Sequence, residues 1–155
     1  MSKSKEALTE WALNFIKSKD AFTGNIKEIL KNKDGFDIDI IYNDKEEFIL
    51  VEPTIQDFDK LHKNLSNDKN IIIFLLNSFE NFNIILNNWK KISCFDKLTL
   101  YFVNMFSHTD KKWAVKPKLH SLITDDKTLK SGLNSMFMIV EPTTEKEFEG
   151  KVYKE

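Results

Sequence analysis

The chain has little that would break or cross-link its backbone. Its 155 residues include four glycines, three prolines and one cysteine, so linkers and low-complexity segments have almost no material. A single domain over residues 1–155 is predicted, with a charged tail from about 143 that is expected to fray. The lone Cys94 cannot form an internal disulfide. The start is charged and amphipathic and no apolar run approaches membrane-spanning length, so we expect a cytoplasmic protein without a membrane partner.

Several classes of function also lose support. The chain contains no glycine-rich phosphate loop, nucleophile elbow or cysteine–histidine motif. Its three histidines have neither i, i+4 pairing nor cysteine companions, which disfavours a zinc site. The formal net charge is −1, so any contact with nucleic acid must be local.

The apolar periodicity predicts an α/β domain. Six consecutive apolar residues from Ile71 to Leu76 indicate a strand buried on both faces at the centre of a sheet. Strands alternating with helices from residue 47 onward imply three parallel strands, preceded by an antiparallel meander. The predicted elements are a helix from Ser4 (as N-cap) to about Asp20, strands near 22–32, 36–42 and 47–52, a short helix after Thr54–Asp57, a strand at 71–76, a helix at 79–89, a strand at 98–103 and a last helix from Thr124. A short edge strand at 112–115, ended by Pro117, is one alternative for the long segment 105–123.

Acidic residues mark the predicted hairpin of strands 36–42 and 47–52. With a turn at 43–46, Asp37 is expected directly opposite Glu52, and Asp39 one step diagonal to it. The same register puts Phe36, together with Ile38, Ile40, Ile49 and Val51, on the other face. Adjacent carboxylates on a rigid strand pair could hold a hard divalent cation. The alternative is that these acids simply occupy the solvent face, although Ile41, Phe48 and Leu50 share it and cover it in part.

This order of elements, with Asp37 or Asp39 on one strand and Glu52 on the next, resembles the restriction-endonuclease-like PD-(D/E)XK superfamily, which includes archaeal Holliday-junction resolvases. The resemblance implies a mixed sheet flanked by helices, magnesium bound by the aspartate and glutamate, and a lysine that orients or activates water. Thr54 occupies the lysine position, and a neutral hydroxyl cannot replace an ammonium there. The resemblance allows Lys60 on the following helix as a displaced lysine, and Glu6 or Glu10 as a first-helix glutamate.

The segment 105–123 is long, polar and basic. Lysines around an exposed aromatic residue can bind phosphates while the aromatic ring stacks on a base. The alternative places Trp113 in the core, with the lysines as a solvated rim. Ligands of open α/β sheets bind beyond the carboxyl ends of strands, where Glu52, Asn77, Ser78, Asn104 and His108 are expected. The candidate nucleic-acid-binding residues are Lys111, Lys112, Trp113, Lys116, Lys118 and His120.

Three functions remain open. The first is a non-catalytic member of the endonuclease-like fold that binds DNA, RNA or a protein through residues 105–120, without a cofactor. The second is a magnesium-dependent nuclease that uses Asp37 or Asp39 with Glu52 and Lys60. The third is a structural or assembly protein, for example a homodimer, in which the basic segment is incidental.

Overall fold

The computed structural model describes residues 2–123 and 125–153, without the side chain of residue 123. Its centre is a six-stranded mixed sheet in the order β1-β2-β3-β4-β5-β6. The strands are β1 (Ile26–Lys33), β2 (Phe36–Tyr42), β3 (Glu46–Glu52), β4 (Asn70–Leu76), β5 (Leu98–Val103) and β6 (Lys112–Val115). The helices are α1 (Lys3–Asp20), α2 (Phe58–Lys63), α3 (Phe79–Asn87), α4 (Trp89–Ile92), α5 (Pro117–Ile123), α6 (Asp126–Ile139) and α7 (Glu145–Tyr153).

Strand directions agree with the predicted α/β class. β1, β2 and β3 form an antiparallel meander, and β3, β4 and β5 run parallel. The short β6 then returns antiparallel beside β5. Parallel neighbours need crossover connections, which here contain α2 between β3 and β4, and α3 with α4 between β4 and β5. A mixed sheet flanked by helices is therefore confirmed, as is the strand predicted near residues 22–32.

Helices cover the sheet on both faces. On one face, α1 buries Leu8, Ala12 and Ile16 against Ile38, Ile40 and other inward-facing strand residues, and α7 adds Phe148 to this cluster. We call this the α1 face. On the opposite face, which we call the helical layer, α2, α3, α4 and α6 contribute side chains to a second core. β4 supplies residues to both cores, as its continuous apolar run predicts.

Two helix starts differ from the expectation. Ser2, not Ser4, is the N-cap of α1, because its side chain accepts a hydrogen bond from the Lys5 N–H. Ser4 lies inside the helix, fully buried, and donates to Glu145 of α7 at 2.9 Å. Likewise Asp57 is the N-cap of α2, because its side chain accepts a hydrogen bond from the Lys60 N–H. Thr54 is a buried residue of the preceding turn.

The charged tail does not fray over the residues that the structure describes. Residues 145–153 form α7, which is held because the Phe148 ring is fully buried, 5.4 Å from the ring of Phe106. Charge density alone predicted disorder, but one buried aromatic side chain stabilises this helix. Among the described residues, no helix combines the length and apolarity needed to traverse a bilayer.

Candidate functional site

The hairpin that carries the acids forms in a different register from the predicted one. Asp39 pairs with Phe48 and Ile41 pairs with Glu46, so β2 is displaced by two residues relative to β3. The prediction that Asp37 lies directly opposite Glu52 is therefore wrong. The cause is the turn, where the Tyr42 N–H bonds to the Lys45 carbonyl, so the two-residue tip is Asn43–Asp44 and lies one residue earlier than the Asp44–Lys45 tip assumed from the sequence.

The start of β2 also departs from strict alternation. Phe36 was expected beside Ile38 and Ile40, but its ring packs in the helical layer, 5.0 Å from the ring of Phe48. Asp37 instead reaches α1, where its Oδ1 lies 2.9 Å from Lys5 Nζ. Its Oδ2 accepts the Val51 N–H at 2.7 Å, just beyond the last paired residues of the β2–β3 ladder. Asp37 therefore replaces a backbone acceptor where the ladder ends.

Glu52 lies near Asp37 without pairing with it across the ladder. Burial raises its pKa, and the charges of Asp37 and Glu145 act in the same direction, while Lys5 and Lys60 oppose them. Two acids from the predicted motif and two lysines from α1 and α2 thus interact electrostatically near the carboxyl end of β3, and Lys5 and Asp37 are in direct contact. We call Lys5, Asp37, Glu52 and Lys60 the acid–lysine cluster.

Sequence reasoning identified three members of this cluster but missed Lys5. The available signal was its position beside the stripe of Ser4, Leu8, Ala12 and Ile16, which turns toward the sheet. A lysine at the border of such a stripe can direct its ammonium group to the end of the adjoining strands.

Asp39 is not part of the acid–lysine cluster. It lies on β2 between Ile38 and Ile40, with 1% of its surface exposed, and its charged neighbours are Glu46, Lys33 and Asp34. Neither of its carboxylate oxygens has a hydrogen-bond partner. Burial and the adjacent Glu46 raise the pKa of Asp39 to about 6. The structure therefore separates the two aspartates that the sequence offered as equivalent candidates.

The proposed first-helix glutamates lie beside only one of the acids. Glu6 and Glu10 line a surface groove with Asp37, and Glu6 makes an exposed contact of 4.0 Å with Lys3. Across residues 2–123 and 125–153, no group of three or more His, Cys, Asp or Glu side chains is arranged to hold a metal ion.

Buried amide side chains at the carboxyl ends of β4 and β5 have structural partners. Asn77 accepts a hydrogen bond from the Trp113 indole N–H at 2.7 Å and donates to two carbonyls at the end of α6. Asn104 donates to the Glu141 carbonyl and accepts the Phe106 N–H. These side chains connect loops to the sheet, which explains why polar residues are buried at this edge.

Trp113 does not project into solvent. Its side chain is 4% exposed and stacks on Phe102 at 4.5 Å with an interplanar angle of 8°. Because β6 pairs with β5, alternation turns this indole into the helical layer. Its assignment as a base-stacking residue is therefore wrong, and the alternative that placed Trp113 in the core is confirmed.

The basic residues of segment 105–123 spread over different parts of the surface. Lys111 donates to the carbonyls of Met105 and Ser107, so it holds its own loop. Lys112 points to the α1 face, 5.0 Å from the ring centroid of Phe15. The Lys116 carbonyl accepts a hydrogen bond from the backbone N–H of His120 and lies 3.0 Å from His120 Nδ1. Lys118 Nζ approaches Asp96 Oδ1 at 4.0 Å. Only these last three residues lie in or beside α5.

A second group of charges extends this α5 region. Residues 88–131 contain nine lysines against four aspartates, a formal charge of +5, although the whole chain carries −1. Lys90 and Lys91 on α4 are exposed, and α4 contacts α5 through the Trp89 indole, which donates to Ser121 at 2.6 Å. The uneven distribution of charge was the sequence signal that could have identified this surface.

Aromatic rings adjoin these lysines. Phe58 and His62 stack on α2 at 5.8 Å, and His62 meets Phe95 edge-on at 5.7 Å. Lys91 Nζ lies 6.0 Å from the Phe58 ring centroid, which connects α4 to the rings of α2. We call the surface formed by α2, α4, residues 93–97 and α5 the basic helical face.

No protein-family model, curated protein or solved structure matches this chain.

Proposed function

We propose that this chain is a nucleic-acid-binding domain with an endonuclease-like scaffold that no longer cleaves its ligand, and that it binds through the basic helical face. The observation that carries the proposal is the concentration of lysines at the β5–β6 end of the sheet. The elements of this face carry six lysines and two aspartates, a formal charge of +4, which attracts phosphates even though the net charge of the chain is −1.

The scaffold part of the proposal rests on strand order and on two acids. A helix, an antiparallel meander, a crossover helix and a parallel strand follow one another, with Asp37 on β2 and Glu52 on β3. This arrangement resembles the endonuclease-like superfamily in both topology and the strands that carry the acids.

The loss of cleavage follows from the engagement of Asp37. One of its oxygens is paired with an ammonium group and the other accepts a backbone N–H. Thr54, at the position of the motif lysine, is buried in a turn and has no charge to contribute. A carboxylate held in this way stabilises the junction of α1 with the sheet.

A binding measurement with charge-reversal variants tests the proposal. The probe is a fluorescent deoxythymidine oligomer of about 16 nucleotides, titrated at several salt concentrations. We expect the double variant Lys90→Glu/Lys118→Glu to bind much more weakly, and each lost phosphate contact to reduce the salt slope by about 0.7. The matched control is Lys27→Glu/Lys31→Glu, which reverses two exposed lysines on β1.

The control should retain wild-type affinity. If the wild type does not bind the oligomer or a duplex of the same length at low salt, the proposed function is refuted. Equal loss of affinity in both double variants would show that binding depends on total charge, not on this face.

A magnesium-dependent nuclease is the second candidate, and the acid–lysine cluster favours it. Magnesium commonly takes one or two carboxylates from a protein and keeps several waters, so Asp37 and Glu52 are sufficient in number. However, Lys5 Nζ contacts Asp37 Oδ1 at 2.9 Å, so the residues fit the ion only if Lys5 moves away from that oxygen. The bound ion would stabilise negative charge on a phosphodiester, and Lys5 or Lys60 would supply the ammonium absent at Thr54.

Cleavage of branched and single-stranded DNA with magnesium or manganese distinguishes the two candidates. The nuclease hypothesis requires activity in the wild type that Glu52→Gln removes and that Glu28→Gln, an exposed change on β1, does not alter. Equal background cleavage by all three proteins would exclude it.

A further inference from the structure

Three aromatic side chains of the basic helical face, Phe58, His62 and Phe95, contact one another. Phe58, His62 and Phe95 are each half-buried, so part of each residue is in contact with solvent. Phe58 and Phe95 also pack against the core of the helical layer, which holds their positions. The side chains therefore form a rigid group of rings at the surface.

The geometry of the group suits flat ligands. Phe58 and His62 are nearly parallel, with an interplanar angle of 29°, and Phe95 is inclined by 71° to His62. Every nucleobase has a π-face, so rings of this kind bind unpaired bases irrespective of sequence. In a duplex the bases stack on one another and present only their edges, so the same rings would have no accessible partner.

Positively charged side chains adjoin these rings. Lys91 Nζ is 6.0 Å from the Phe58 centroid, and Lys118 approaches Asp96, the residue that follows Phe95. Rings next to ammonium groups bind a base and its phosphate together, which is a common arrangement in proteins that bind single strands. The charge complementarity thus selects a polyanion with exposed bases.

We propose that the ligand of the basic helical face is single-stranded nucleic acid, whose bases stack on Phe58, His62 and Phe95 while Lys91 contacts the backbone. This inference rests on the proposed function and specifies its ligand class. The rings are preorganised by their core contacts, so stacking orders few additional side chains.

Leucine substitutions test stacking separately from packing, because leucine retains apolar volume but has no π-face. We expect Phe58→Leu and Phe95→Leu each to reduce the affinity for a single-stranded oligomer about tenfold. Their affinity for a duplex of the same length should remain unchanged. The matched control is Phe79→Leu, which removes an aromatic side chain that is 57% exposed on α3, and it should bind both ligands as the wild type does.

A single-stranded probe that contains 2-aminopurine gives a second measurement, since its fluorescence is quenched when the base stacks. Quenching should occur with the wild type and decrease with His62→Leu. Binding of single strand and duplex with equal affinity, unchanged by the leucine variants, would overturn the ligand class and leave the proposed function intact. Absence of binding to either ligand would instead refute the proposed function itself.

Discussion

Replacement of Asp39 by asparagine should stabilise the protein at neutral pH. Asp39 is 1% exposed on β2, and no donor reaches either of its carboxylate oxygens. A buried charge without donors destabilises the folded state, whereas an amide at this position could donate to the carboxylate of Glu46. We therefore expect Asp39→Asn to be more stable than the wild type when Asp39 is ionised.

The magnitude and its pH dependence follow from the pKa of Asp39. Burial and Glu46 raise this pKa from 3.8 to about 6 in the folded state, so the folded protein binds the proton more tightly than the unfolded chain. The resulting stabilisation is complete below pH 3.8 and is lost as the pH rises through about 6. Because one pKa unit corresponds to 1.36 kcal/mol, about 3 kcal/mol of stability is lost by pH 7.5, and the variant avoids that loss.

Urea unfolding of both proteins at several pH values from 4 to 7.5 measures this effect. The difference in the free energy of unfolding should be small near pH 4 and increase through pH 6 in favour of the variant. Asp44→Asn, at the exposed tip of the β2–β3 hairpin, provides the control and should follow the wild type. A variant that is less stable than the wild type at pH 7.5, or a difference independent of pH, would refute the reasoning.

Two further substitutions test the structural assignments. Asn81→Ala should lower the free energy of unfolding by about 3 kcal/mol in urea, because the Asn81 side chain accepts a hydrogen bond from the buried Ile55 N–H and donates to two carbonyls. The control Asn83→Ala, at an exposed position on the same helix, should have little effect. Lys5→Met should lower the free energy of unfolding by about 1 to 2 kcal/mol, since it leaves the mostly buried Asp37 carboxylate unpaired. A comparable loss from Lys3→Met, whose ion pair with Glu6 is exposed, would contradict the importance given to the Lys5 contact.

The fold class was accessible from local patterns. The run from Ile71 to Leu76 has no polar face, so only a covered central strand could accommodate it, and β4 occupies that position. The ambiguous segment that forms β1 could have been assigned more firmly from Asp34–Gly35. Both residues have positive φ, 55° and 83°, in the turn to β2, and this dipeptide is a strong hairpin signal.

The hairpin register was not accessible in the same way. A two-residue tip at Asn43–Asp44 fits the sequence as well as one at Asp44–Lys45, and the resulting slip of two residues in the pairing keeps each side chain on its face. The apolar pattern therefore cannot distinguish the two registers. Phe36 and Asp37 face the opposite sides of the sheet from those that alternation predicts. Asp37 there contacts Lys5, which is 32 residues away in sequence, so no local pattern reports this orientation.

The basic segment shows a related difficulty. Pro117 follows the end of β6 and is also the first residue of α5, where proline is favoured because its missing N–H would be unpaired there in any case. Neighbouring residues on a strand point to opposite faces, so Lys112 and Trp113 could not share one surface. The basic helical face instead combines residues from three separate parts of the chain, 58–63, 89–97 and 117–123.

The separation of charge along the sheet has a kinetic consequence. Residues 88–131 carry a formal charge of +5 and the remainder of the chain −6, and residues 88–131 include β5 and β6, which lie at one edge of the sheet. A concentration of positive charge at one edge attracts an approaching polyanion to that edge before any contact forms. Association would then begin with the β5–β6 end leading, and added salt would slow the encounter.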